Sequence, residues 1–211
     1  MEAVDDNVQL LAHCNGDAAA DQYLAAYRYA LAASHNPQKD KLRPVMIHCQ
    51  TVRDDQLDEM AQLHMIPSLF VVHTWYWGDV HRKNLGETRA AHISPAKAAF
   101  DRGLAVNFHQ DAPVVPPDML LTVWAAVNRR TRSGFVLGED QRISVWDALR
   151  AVTINAVYEY GEENEKGSLR PGKLADLVIL DRNPLAVNPE EIREIRVLET
   201  IKEGQSLWKQ R

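Results

Sequence analysis

Cysteine is scarce in this chain: of 211 residues only Cys14 and Cys49 are cysteines. That is too few for a disulfide framework and suits a reducing compartment. Long apolar runs are missing as well, since no stretch approaches the roughly 18 residues of a membrane span. The segment MEAVDDNVQL has neither the basic nor the apolar region of a signal peptide, so a cytoplasmic protein with no membrane partner is the expectation. Basic excess is absent too. The 29 acidic and 24 basic residues give a net charge of -5 with both signs interspersed, which argues against a nucleic-acid partner. Neither GxGxxG nor GxxxxGK occurs, and with them goes the usual cradle for a nucleotide phosphate.

What is present is a globular composition, 45% hydrophobic and 25% charged. The first two thirds alternate short apolar runs with longer amphipathic ones, the pattern of βα units around a parallel sheet. The runs at Val8 to Ala12, Pro44 to Ile47, Ile66 to Val72 and Leu104 to Phe108 predict four strands. Helices are expected over Asp17 to Ala33, Asp54 to Leu63, Met119 to Asn128 and Val145 to Tyr158, while HTWYWGDVHRKNLGE reads as a long loop that delays the next helix to about Ser94. After Gly161 the texture changes. GEENEKGSLRPGKL is turn-rich, and ADLVILD and IRVLETIKEG are β-type segments that predict a small, mostly antiparallel element.

Each predicted strand runs into a residue that can bind a metal or move a proton: His13, His48, His73, and the pair His109 and Asp111. Strand C-termini of a parallel βα sheet share one face, so these residues converge there. Imidazole and carboxylate donors suit zinc, iron, manganese or nickel, which implies a divalent metal without naming it. A single histidine at a strand end is more often a hydrogen-bonded structural residue, whereas four strand ends carrying such residues together point to a site. His35, His64, His81 and His92 lie on expected helices or loops and read as solvated or capping residues. Trp75, Tyr76 and Trp77 either line a substrate pocket or bury their loop against the scaffold. Asp17 reads as a helix cap. Alternation turns Cys14 and Cys49 to the helix side of the sheet, where they pack.

The segments AHCNGDAAADQYL, VMIHCQTVRDDQL, HTWYWGD, HQDAPV and KGSLRPGKLADLVILDRNPL, in that order, resemble the amidohydrolase superfamily, in particular its N-substituted formamide deformylase-like branch. The resemblance implies a TIM-like barrel with metal at the strand C-termini, and it places His13 on the fifth strand, His48 on the sixth and Asp111 on the eighth. It implies His13, His48 and Asp111 as ligands of one or two divalent ions, zinc first among them. Asp111 is then also the catalytic base and acid, and His73, at the seventh strand, contacts substrate or polarises its carbonyl. Two departures stand out. His109-Gln110-Asp111 replaces the Gly-Ser-Asp of many relatives, and the first-strand His-x-His pair has no counterpart.

The fold expected is therefore α/β, with residues 1–160 as the C-terminal half of a (βα)8 barrel, about strands five to eight. Residues 161–211 are expected to form the C-terminal β element of a composite β-sandwich. The expected activity is metal-dependent hydrolysis of a non-peptide carbon–nitrogen bond in a small amide-type substrate. Four strands leave two edges open, so self-association or a separate N-terminal partner chain is expected to cover them. The alternative is a catalytically incomplete piece with only a structural or interaction role.

Overall fold

The computed structural model describes residues 1–210. A short helix α1 (Glu2–Asp5) precedes β1 (Leu11–Cys14) and the long α2 (Asp17–Ala33). The α2 residues Ala20, Leu24, Tyr27 and Ala30 recur every three or four positions and form its buried stripe. Next come β2 (Val45–His48), α3 (Asp54–Gln62) and β3 (Ile66–Leu69). Leu57 and Met60 are the buried face of α3, and at its N-terminus the Gln56 side chain accepts from the Arg53 amide at 2.9 Å. Three helices follow, α4 (His73–Leu85), α5 (Glu87–Ala91) and α6 (Ala96–Asp101), before the two-residue β4 (Asn107–Phe108).

Strands β1 to β4 form one four-stranded parallel sheet in sequence order. Register sets His13 opposite Ile47, Ile47 opposite Ser68, and Ser68 opposite Asn107. These residues share one face with Leu11, and Leu11, Ile47, Ser68 and Asn107 line a cleft of about 300 Å³. The opposite face carries Cys14, Met46, Leu69 and Phe108 into a core shared with Leu24, Leu57 and Met60. Cys14 therefore faces the helices as expected, with its thiol 3.6 Å from the Ala19 carbonyl of α2. Cys49 is fully buried, and neither cysteine is in a disulfide.

The buried α7 (Met119–Asn128) and the short α8 (Val145–Ala151) and α9 (Ile154–Glu159) complete the first layer. Asp118 and Ser144 cap α7 and α8, their side-chain oxygens accepting from the amides of Leu121 and Asp147. Helix α9 lies across the N-terminal end of the sheet: Gln9 donates to the Glu159 carbonyl at 2.8 Å and Arg43 donates to that of Tyr158. Just after α7, Arg129 is wholly buried, and its guanidinium donates to the carbonyls of Leu137, Ser94, Ile93 and Ala91 at 2.7 to 3.3 Å. Gly138 makes that closure possible. At its φ of +69° a Cβ would stand 1.8 Å from the Ala91 carbonyl oxygen.

Beyond α9 the strands β5 (Leu177–Leu180), β6 (Val197–Lys202) and β7 (Gln205–Lys209) make a separate three-stranded antiparallel sheet. Among the described residues no helix is long and apolar enough to cross a membrane.

Several elements differ from expectation. Strand β3 stops at Leu69, and Phe70, Val71 and Val72 form a buried turn. An apolar run does not distinguish a strand from a turn that is buried on all sides. The segment read as a long loop is instead α4, and His73 opens that helix rather than closing a strand. Strand β1 begins at Leu11 and runs past His13 to Cys14, β4 is limited to Asn107–Phe108, and the last helix is broken in two at Val152 and Thr153.

Candidate metal and catalytic site

His13 and His48 meet at the C-terminal ends of neighbouring strands, with ring centroids 4.5 Å apart and edge to face. His13 is exposed and His48 is buried. The backbone of His48 is already leaving the strand, at a φ of +76°. This turns its ring to the rim instead of into the helix-side core that simple alternation would assign. Burial and the neighbouring His13 hold His48 below the usual imidazole range, with Asp111 acting in the opposite sense. Neutral imidazole is the form a cation binds.

Asp111 is exposed, three residues beyond β4, with a φ of +50°. It lines the cleft together with His109, Ser68 and Asn107, and its charge opposes the lowering of His48 and His109. His109 sits at the centre of the cluster. Its Nε2 is 3.1 Å from His48 Nδ1 and its Nδ1 is 3.0 Å from Ser68 Oγ, while its ring stacks on Phe70 with centroids 5.6 Å apart. Burial first, and His48 second, push His109 down to about 4.

His73 reaches the cluster from the first turn of α4, with its ring centroid 6.2 Å from that of His48. It packs on Phe70 and Trp77, and its buried Nδ1 has no hydrogen-bond partner among the described residues. Burial, then His81, His48 and His109, lower it to about 3. His81 lies two helical turns on, 5.8 Å from His73 by ring centroids, and its Nε2 is 2.9 Å from Gln50 Nε2.

The structure thus brings together His13, His48 and His73, with Asp111 on the same rim. It gives His109, named from the sequence only as a possible ligand or proton carrier beside Asp111, the central place, and it adds two residues that sequence reasoning left without a role, Ser68 and His81. His73, Trp77 and His81 are spaced by four, a signal readable only if the segment is taken as a helix. Ser68 gave no signal, because parallel register cannot be read from one sequence. Of the aromatic trio, Trp75 packs edge to face on Trp124 at 5.1 Å and so belongs to the scaffold, whereas Trp77 lies against His73.

The donors fit a divalent cation in kind: two adjoining imidazoles, depressed basicity at His48, and no hydrogen bond to His48 Nε2 among the described residues. They do not make a closed site, since no group of three histidine, cysteine, aspartate or glutamate side chains among the described residues converges to hold one.

Residues 2–207 match the amidohydrolase family. The chain belongs to that family. This amidohydrolase is 30% identical over 199 residues to N-substituted formamide deformylase of Arthrobacter pascens, covering 93% of this chain and 36% of that protein. It is 33% identical to Protein LONG AFTER FAR-RED 3 of Arabidopsis thaliana, covering 87% of this chain and 31% of that one. Among solved structures it resembles an uncharacterized metal-dependent hydrolase from Pyrococcus horikoshii, with a TM-score of 0.72 and 28% identity over 87% of this chain and 36% of that chain. The amidohydrolase chain therefore spans about a third of the length of these relatives.

Proposed function

We propose that this chain supplies part of the active site of a metal-dependent amidohydrolase acting on a non-peptide carbon–nitrogen bond, an amide or formamide. One observation carries the proposal: His13 and His48 adjoin at the C-terminal ends of neighbouring parallel strands, with Asp111 on the same rim. The likeness to a formamide deformylase supports the substrate class, and the likeness to a metal-dependent hydrolase supports the metal. The four-stranded sheet corresponds in this reading to strands five to eight of a (βα)8 barrel, with residues 1–160 as the barrel portion and 161–211 as part of a β-sandwich. The remaining ligands then come from polypeptide outside these residues, in the same chain, a partner chain or another copy.

His13 and His48 would hold the cation, zinc being the first to test, and Asp111 would complete its donors from this chain. A bound cation supplies Lewis acidity and brings the pKa of a water down to about 7. With the cation held there, Asp111 would accept a proton from the attacking water as the water oxygen bonds to the carbonyl carbon. As the carbon–nitrogen bond breaks, the bonding electron pair goes to nitrogen and Asp111 passes the proton to it. His73, kept neutral by burial, offers its unpartnered Nδ1 to the substrate carbonyl. Trp77 beside it restricts water.

The lack of a three-donor cluster favours a second reading, a catalytically incomplete piece. Metal analysis of the purified chain and of His48→Ala, with a panel of N-formyl and N-acyl amines, separates the two. Metal bound by the chain and lost in His48→Ala is the expected result, with amine release wherever another copy or a partner chain supplies the remaining ligands. A chain with neither metal nor turnover is the incomplete piece.

A further inference from the structure

A neutral imidazole carries one N–H and one lone pair, so a contact between two imidazoles ties their tautomers together. Two arrangements satisfy the 3.1 Å contact between His48 Nδ1 and His109 Nε2. In one, His48 donates from Nδ1, His109 accepts at Nε2, and His109 in turn donates from Nδ1 to the Ser68 oxygen 3.0 Å away. In the other every direction reverses, and the proton of His48 sits on Nε2. Only the first leaves His48 a lone pair on Nε2, the nitrogen that is not turned towards His109.

We propose that His109, held by Ser68, is a positioning residue for His48: it accepts the Nδ1 proton, fixes the ring, and presents the Nε2 lone pair to a divalent cation. The inference rests on the metal reading above for the identity of the ligand, though the hydrogen-bonded pair is a feature of the fold itself. Three observations support it. Phe70 stacks on His109 with an interplanar angle of 22°, which fixes the ring that does the orienting. Ser68 belongs to β3 and pairs in register with Asn107 of β4, so the anchor is part of the sheet and not a loop. His109 and His48 are brought together by the parallel register and not by proximity in the chain, which their separation of 61 positions makes plain.

A ligating histidine whose other nitrogen is held in this way loses about 10- to 100-fold in metal affinity when the partner is removed. The test uses the full chain, labelled with 15N and stripped of metal. Two-bond proton–nitrogen correlation spectra should show His48 protonated on Nδ1. His109→Phe keeps the stack on Phe70 but has no acceptor, and should move the His48 proton to Nε2. His109→Gln has an amide oxygen to accept it and should restore Nδ1. Zinc titration should give affinity about 10- to 100-fold weaker for His109→Phe and close to wild type for His109→Gln. A folded His109→Phe is recognised by its amide spectrum, and Ser68→Ala, expected to weaken the same preference, is the second variant should His109→Phe not fold.

A wild-type His48 protonated on Nε2 overturns the proposal. So does a folded His109→Phe with unchanged tautomer and zinc affinity. Loss of the Nδ1 proton on zinc binding would mean that His48 and His109 share the ion through the facing nitrogens, which also overturns it. A wild-type chain with the expected tautomer and no zinc uptake supports the positioning pair and counts against the metal reading.

Discussion

At the scale of single residues, two buried charges test how the molecule balances burial against hydrogen bonding. Burial lowers Arg129 to about 10, which still leaves it protonated at neutral pH, and four carbonyls accept from its guanidinium. Its replacement by methionine would fill much of the space and leave those acceptors without donors. At about 1–3 kcal/mol for each buried group left unsatisfied, the expected loss is roughly 3 kcal/mol or more in urea unfolding. Glu159 is the opposite case. Burial raises its carboxyl, against the lowering effect of the Asn107 amide that donates to it. A carboxyl raised on folding binds more protons in the folded state than in the unfolded one, so its contribution falls as pH rises from the ordinary glutamate range through the raised value. Glu159→Gln keeps an acceptor for Asn107. It is expected to raise the melting temperature at pH 7 and to lose that advantage towards pH 4, as thermal melts across that range would record.

Among the elements, α4 decides most about the site. If His73 to Leu85 is a helix, amide hydrogens from about Trp77 to Gly86 should exchange slowly, and fast exchange across that span would return the segment to a loop. Gly78 offers a sharper test. A Cβ there would lie 2.6 Å from Thr131 Cγ2, so Gly78→Ala meets overpacking of about 1–3 kcal/mol against a helix-propensity gain of about 1 kcal/mol. The expected net is a loss of about 1 kcal/mol that Thr131→Ser, by removing the methyl, reverses in sign. The core of β2 and α2 was legible in the sequence because apolar residues bounded by turn signals repeat there at strand and helix spacing. Helix α4 was not, because its polar and aromatic composition gives no apolar stripe, and the stripe it does have is His73, Trp77 and His81. The convergence of His13 and His48 could be foreseen from strand direction alone. The Ser68–His109–His48 chain could not, since it depends on register.

For the whole molecule, the open sheet is the dominant fact. Strands β1 and β4 have one partner each, and Leu11 and His13 are exposed on the face that lines the cleft. The β-sheet at the C-terminal end likewise exposes Val178, Ile179, Leu207 and Trp208. Such edges and apolar surface predict self-association or capture of further strands. Sedimentation at micromolar concentration should show species larger than 23.9 kDa, and a compact monomer that binds no hydrophobic dye would count against this. Arg129 bears on the whole molecule in time as well. Its acceptors come from residues 91–94 and from Leu137, so the cage can close only after both segments have arrived around α7. We expect an interaction that needs both segments in place to form after the folding transition state, so that the Arg129→Met loss is read in the unfolding rate rather than the folding rate in stopped-flow measurements. Arg129 is in that sense a latch: without it the chain would fold at nearly its usual speed and come apart sooner.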